Sequence, residues 1–230
     1  MAPKPTTTTT TGDTAAARAA VASDRGRDFM DWFQVNSRFI GIGAAVVAVA
    51  AAGYWFYLRS QQIKTVNAER SLMQAEQSLQ SGNTALATSD LQRVVTRYKG
   101  TAAGTEAAML LAQADYNAGK YQDGVKVLEE VSGKAGGSEA SLQSLIGDGH
   151  SQLGKSADAA KAYEHAAAAA EFDTERAYYR AKAARSYAAA GNVNDAKRIW
   201  SQLATDDKAQ AVAAEARVRL AELTAKPAKS

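Results

Sequence analysis

Four glycines, Gly82, Gly119, Gly154 and Gly191, stand 37, 35 and 37 residues apart within a stretch running from about Val66 to Thr224. That spacing is close to the period of helix-turn-helix repeats, about 34 residues. Around the last three glycines the same side-chain sizes recur. A small residue lies seven positions before each (Ala112, Gly147, Ala184), another five after (Gly124, Ala159, Ala196), and a large apolar residue nine after (Leu128, Tyr163, Trp200). A weaker first copy places Ala75, Ala87 and Leu91 around Gly82. Two antiparallel helices approach closely only where small side chains meet, and a bulky group four residues on fills the adjacent groove. The pattern predicts helical hairpins, each broken at its glycine, with Trp200 in the core of the last pair facing Ala184. The segment at 208–223, KAQAVAAEARVRLAEL, has no partner after it and reads as the capping helix that a stack of repeats needs.

Composition agrees. The three prolines, Pro3, Pro5 and Pro227, lie near the ends, so the interior runs without a Pro break. Hydrophobic residues make up 46% of the chain but aromatics only 7%, with Ala dominating, which favours closely packed helices over sheets. The expected fold class is all-α: a tetratricopeptide-like helical-hairpin solenoid of about four repeats plus a capping helix, over residues 63–225, behind one N-terminal transmembrane helix.

Residues 1–28 form a Thr/Ala-rich tail with six consecutive threonines, Thr6 to Thr11, and almost no large apolar side chain. Such a segment cannot offset its ordering entropy by burial and is expected to be disordered, as is the short end 226–230. Residues 29–62 read as an interfacial segment and membrane span. From Phe39 to Leu58, FIGIGAAVVAVAAAGYWFYL is free of charge and long enough for the roughly 30 Å hydrocarbon core of a bilayer. Arg38 and Arg59 bracket it, Tyr54 to Tyr57 supply an interfacial aromatic belt, and Trp32 and Phe33 supply a smaller one. The alternatives are a buried core helix, which has no use for flanking belts, and a cleaved signal peptide, which starts nearer the terminus. Positive-inside counting gives a tie: Arg25, Arg27 and Arg38 before the span, Arg59, Lys64 and Arg70 after it. Within the span Gly41, Ala44, Ala45, Ala48 and Ala52 share a small-residue face suited to another helix, unless alanine is simply common here.

Charge and cysteine content exclude whole classes. After the span 22 Lys and Arg meet 20 Asp and Glu, too even a balance for the basic stripe of a nucleic-acid binder. The absence of cysteine excludes disulfides, thiolate metal sites, cysteine nucleophiles and a bacterial lipid anchor.

The interfacial stretch RDFMDWFQVNSRF, the span closing on GYWFYLRSQQ and the divergent repeats after it resemble, over about residues 27–225, the YfgM family of ancillary SecYEG translocon subunits. The resemblance implies a single-pass protein of the bacterial inner membrane, its N-terminus cytoplasmic and its repeats periplasmic. It also implies contacts with translocon subunits and periplasmic chaperones, and no enzymatic activity. The Thr-rich tail and Ala-rich repeats depart from that pattern.

Candidate sites are few. His150 falls four residues before Gly154, at an interior position, and is expected packed and hydrogen-bonded; His165 is expected to face solvent. GDGHSQLG at 147–154 follows no strand, so it lacks the setting of a phosphate-binding glycine loop, and Gly147 is better explained as a small residue at a helix crossing. No metalloprotease, P-loop or Ser-His-Asp pattern occurs, so no catalytic, cofactor or metal residues are assigned. Solenoids instead use the face lined by the first helix of each pair. The register places Met109, Gln113, Tyr116, Asn117, Asp148, Ser151, Gln152, Tyr178 and Arg185 there, by geometry alone; each is otherwise ordinary surface. The function expected is a membrane-tethered periplasmic scaffold binding translocon subunits, chaperones or secreted clients, with no small-molecule substrate. The alternative is a structural or assembly repeat protein of the cell envelope or division machinery.

Overall fold

The computed structural model describes residues 37–225, apart from the side chains of residues 37–41 and 44. The 1–28 tail, Trp32 and Phe33, and the end 226–230 lie outside the described residues. Regular structure among the described residues is helical throughout: α1 (Ser37–Gln80), α2 (Thr84–Arg97), α3 (Ala102–Asn117), α4 (Tyr121–Glu129), α5 (Glu139–Gln152), α6 (Ser156–Ala169), α7 (Asp173–Ala189), α8 (Val193–Thr205) and α9 (Gln210–Thr224), with short 3-10 turns at Gly136–Ser138 and Asp207–Ala209. The chain divides into two units, Met1–Gln61 and Gln62–Ser230.

In the first unit, the helix carries its large apolar residues on all sides: Ile42, Val46, Val47, Val49 and the run Tyr54 to Leu58 are 43 to 73% exposed. The residues of the expected span from Ser37 onward are helical. Among the described residues, no helix is long and apolar enough to cross a membrane. Of the expected span 39–58, the side chains of residues 39–41 and 44 lie outside the described set.

The second unit is a stack of hairpins. The end of α1, through Ala68, Leu72 and Ala75, packs on Leu91, Val94 and Val95 of α2; α3 pairs with α4, α5 with α6 and α7 with α8, while α9 packs on the last pair. The four glycines of the sequence period end the first helix of each pair in the left-handed region, with φ of 73 to 78° at Gly82, Gly119, Gly154 and Gly191. At each, the following residue donates its N–H five positions back, for instance Lys120 to the Asp115 carbonyl (2.8 Å) and Asn192 to the Tyr187 carbonyl (2.8 Å). The glycine itself donates three back, as Gly119 does to Tyr116 (3.0 Å). This is the Schellman arrangement, and an L side chain is strained at its left-handed position.

The expected size pattern fills the core. Ala75, Ala87, Ala112, Ala159, Ala184 and Ala196 are fully buried, as are Leu91 and Leu128, with Tyr163 at 4% and Trp200 at 1% exposure. Buried apolar residues form two clusters, one running from Ala68 to Ala162 and one from Ala159 to Ala216. They meet on α6, where Ala162 belongs to the first and Ala159, Ala160 and Tyr163 to the second.

Where α5 and α6 cross, a Cβ on Gly147 would lie 2.5 Å from the Tyr163 ring. Two residues on, a Cβ on Gly149 would overlap the Tyr116 hydroxyl and a Val125 methyl. Gly149→Ala therefore sets a helix-propensity gain of about 1 kcal/mol against overpacking of about 1 to 3 kcal/mol and the loss of a buried hydrogen bond. Packing wins, and urea unfolding should show the variant destabilised by about 1 to 3 kcal/mol.

Between α4 and α5 the connection is held by Glu139. Its carboxylate accepts from the Gly133 N–H (2.9 Å to Oε2), the Ala135 N–H (3.3 Å), Ser132 Oγ (3.2 Å) and Gln143 Nε2 (2.8 Å). Burial works against the carboxylate, but these donors together hold its pKa below the ordinary glutamate value. A depressed folded pKa stabilises above the unfolded value, about 4.3, and is lost as pH falls through the folded one. Glu139→Gln should cost about 1 kcal/mol at neutral pH, after allowance for solvent screening. That cost should shrink toward zero in urea melts near pH 3.

Candidate protein-interaction face

On the face built by the first helices, α5 and α7 are joined by Lys182. Its ammonium lies 2.6 Å from Asp148 Oδ1 and donates to Ser144 Oγ at 3.2 Å. It also stands over the rings of Tyr163 (4.5 Å) and Tyr178 (5.6 Å), within reach of cation–π attraction. Tyr163, on α6, donates its hydroxyl to the same Asp148 oxygen at 2.6 Å. Burial, then the hydrogen bond to Asp148 and its negative charge, push the Tyr163 phenol well above its ordinary pKa. Beyond this cluster Arg185 donates through Nε to Glu215 Oε1 of α9 at 2.7 Å, which tethers the capping helix. The Arg185 hydrogen bond holds the Glu215 carboxyl below its usual range. The largely covered Lys182 on a part-exposed Asp148, the part-exposed Arg185–Glu215 pair and Tyr178, 50% accessible, make this a polar surface with an aromatic platform.

The residues assigned to this face divide into three groups. Asp148 and Tyr178 are brought together by Lys182, and Arg185 follows one turn on. Tyr116 lies between α3, α4 and α5, its ring where Cβ atoms on Gly124 and Gly149 would be and its hydroxyl donating to the Leu145 carbonyl at 3.0 Å. Burial, and then the charge of Asp148, raise its pKa well above the ordinary phenol value. Met109 is half-buried against the first core cluster, and Gln113, Asn117, Ser151 and Gln152 are exposed. In the first unit Ala45, Ala48 and Ala52 are exposed; Gly41 is helical, its exposure outside the described set. Lys182 was missed, although Tyr178, Lys182 and Arg185 at i, i+4 and i+7 share one helical face.

His165 is exposed, as expected. His150 differs from its expectation. Its Nδ1 is buried without a hydrogen-bond partner, and its Nε2 lies 3.8 Å from Glu129 Oε1, too far for a hydrogen bond. Residues 147–152 are inside α5 and form no loop. Among the described residues no group of three or more His, Asp or Glu is placed to hold a metal. Lys182 donates to both Asp148 and Ser144.

Hairpins stopped at Schellman glycines, sealed by small residues and stacked through a shared core, define a tetratricopeptide-type solenoid, a fold that generally binds proteins and is generally non-catalytic. The sequence matches the family described as tetratricopeptide repeat-like domain over residues 30–145, half of the chain, and the chain belongs to that family. Among solved structures it is similar to nearly identical TPR-like repeats of a Podosopora anserina protein described as a putative kinesin light chain. The match is at 19% identity and a TM-score of 0.50, covering 67% of this chain and 89% of that one. A thermophilic TPR protein from Thermus thermophilus matches at 20% identity and a TM-score of 0.43, covering 68% of this chain and 80% of that one. No curated protein matches the chain. These likenesses concern the fold.

Tyr163→Phe keeps the ring under Lys182 but removes the hydrogen bond to Asp148, and should cost about 1 to 2 kcal/mol in urea unfolding. Tyr178→Ala, on the exposed side of the same cluster, should stay within about 0.5 kcal/mol of the parent.

Proposed function

We propose that the chain is a membrane-tethered scaffold that binds a protein partner on the Tyr178–Lys182–Arg185 face of its repeats. The observation carrying the reading is the pairing of a rigid hairpin stack with an exposed aromatic platform that contributes little to the core. Aromatic and cationic side chains on a preformed surface are typical anchors for a partner's segment.

Tethering rests on the first unit. A helix that is apolar all round is suited to lipid or to a protein interior, since an amphipathic surface helix keeps a polar side. Tyr54 to Leu58 cover every azimuth of α1, and the full stretch 39–58 carries no charge. The family match begins at residue 30, ahead of that stretch, which associates it with the repeats. In this reading the chain crosses the bacterial inner membrane once with its repeats in the periplasm. Its partners are translocon subunits, chaperones or secreted clients, as the YfgM resemblance implies.

Three measurements test the proposal. Alkaline carbonate should leave the full-length protein in the membrane fraction, and release would overturn the anchor. A Cys placed at Ser230 should react with a membrane-impermeant thiol reagent in intact cells; labelling only after the inner membrane is broken puts the repeats in the cytoplasm. Crosslinking from detergent extracts should recover translocon subunits or chaperones with the parent and several-fold less with Tyr178→Ala. Recovery of self-associated chains or division proteins instead favours an assembly role.

A further inference from the structure

The last two hairpins carry a second concentration of charge, turned away from Tyr178 and Lys182. A solvent-open pocket of about 270 Å³ is lined by Arg176 and Arg180 of α7, Arg198 and Ile199 of α8, and Glu164 and Ala167 of α6. Arg176 and Arg180, one turn apart, share a face of α7. Most of the charge here is already matched. Arg176 pairs with Asp173 and donates to the Ala170 carbonyl (3.0 Å), and Lys208 lies 3.0 Å from the other Asp173 oxygen. Arg198 reaches Glu164 (3.3 Å) and Asp195 (3.5 Å). The second Glu164 oxygen accepts from the Tyr187 hydroxyl at 2.7 Å, and burial followed by this carboxylate pushes that phenol up to about 12.

Arg180 is the exception. Among the described residues its partner is the neutral amide oxygen of Gln202. Arg198 takes two of the three nearby carboxylates, Glu164 and Asp195, and Arg176 the third, Asp173, so Arg180 lines the pocket without a carboxylate partner among the described residues. A guanidinium presents five donors in a planar fork that fits a carboxylate with two parallel hydrogen bonds. A single carboxylate gives Arg180 the ionic partner it lacks, whereas a phosphate dianion brings a second negative charge into the pocket beside Glu164. Ala167 and Ile199 give the pocket an apolar wall against which the methylenes of a glutamate can rest.

We propose that this pocket receives a glutamate or aspartate side chain from an acidic segment of a protein partner, with Arg180 as the anchoring cation. The inference rests on the scaffold reading only in taking a protein segment as the ligand.

The test titrates the full chain in detergent with two labelled synthetic peptides of equal length, one glutamate-rich and the other with glutamine at every glutamate. The glutamate peptide should bind, and more weakly as salt rises, while the glutamine peptide should not. Arg180→Gln and, as a second variant, Arg198→Gln should each weaken binding roughly tenfold. Lys134→Gln, an equal loss of charge on an exposed connection, should leave it unchanged. Equal weakening by all three variants, equal binding of the two peptides, no binding at all, or displacement by inorganic phosphate at lower concentration than by free glutamate overturns the assignment. Partner capture through Tyr178 is measured separately, so failure here beside successful capture removes this pocket and leaves the scaffold reading intact.

Discussion

Tyr163 can lie flat on α5 because position 147 has no side chain, and much of the surface chemistry follows from that contact. With the ring seated on Gly147, its hydroxyl ends 2.6 Å from Asp148. The same carboxylate oxygen then fixes Lys182, and Lys182 brings α7 to α5 with Tyr178 beneath its ammonium. A larger residue at 147 would displace the ring, separate the phenol from its acceptor and scatter the groups of the binding face. Core packing and surface electrostatics are here two ends of one chain of contacts.

The hairpin register was legible because it depends on two local properties that a sequence displays directly: where the backbone needs a left-handed residue, and where a side chain must be small. Gly119 and Gly191, Ala112 and Ala184, Leu128 and Trp200 could all be placed on those grounds. What escaped depends on contacts distant in sequence. Tyr116 occupies a first-helix position, where surface is the natural reading, but Gly149 on the next hairpin opens a slot that its ring enters. Lys182 was passed over because a lysine on an exposed helix reads as solvated, and nothing local reveals that Asp148, 34 residues earlier, stands across from it. The Glu139 network was equally hidden, since it needs the Gly133 and Ala135 amides turned toward one carboxylate by a loop whose path no periodicity describes.

Helix α6 explains how so alanine-rich a chain holds together. Its buried residues are Ala159, Ala160, Ala162, Tyr163, Ala166 and Ala167, which place apolar surface on two sides of one helix. Each alanine buries little area, so the gain per residue is small. The compensation is proximity, because backbones that approach closely multiply weak dispersion contacts. On the rims of the last hairpins, Arg185 and Glu215 join α7 to α9 on one side and the arginines around Glu164 gather on the other.

The seam between paired helices asks for size and little else. Gly147, Ala159 and Ala184 are held to their identities by the room available, while the residues around them answer to no such limit. Substitution can therefore rewrite much of the exterior without moving a helix, provided the pairs that join helices, Asp148 with Lys182 and Arg185 with Glu215, are kept. That freedom lets one backbone arrangement be shared by chains agreeing at only 19% of positions. It also means that two such proteins with superimposable helices need present no surface in common to the molecules they meet.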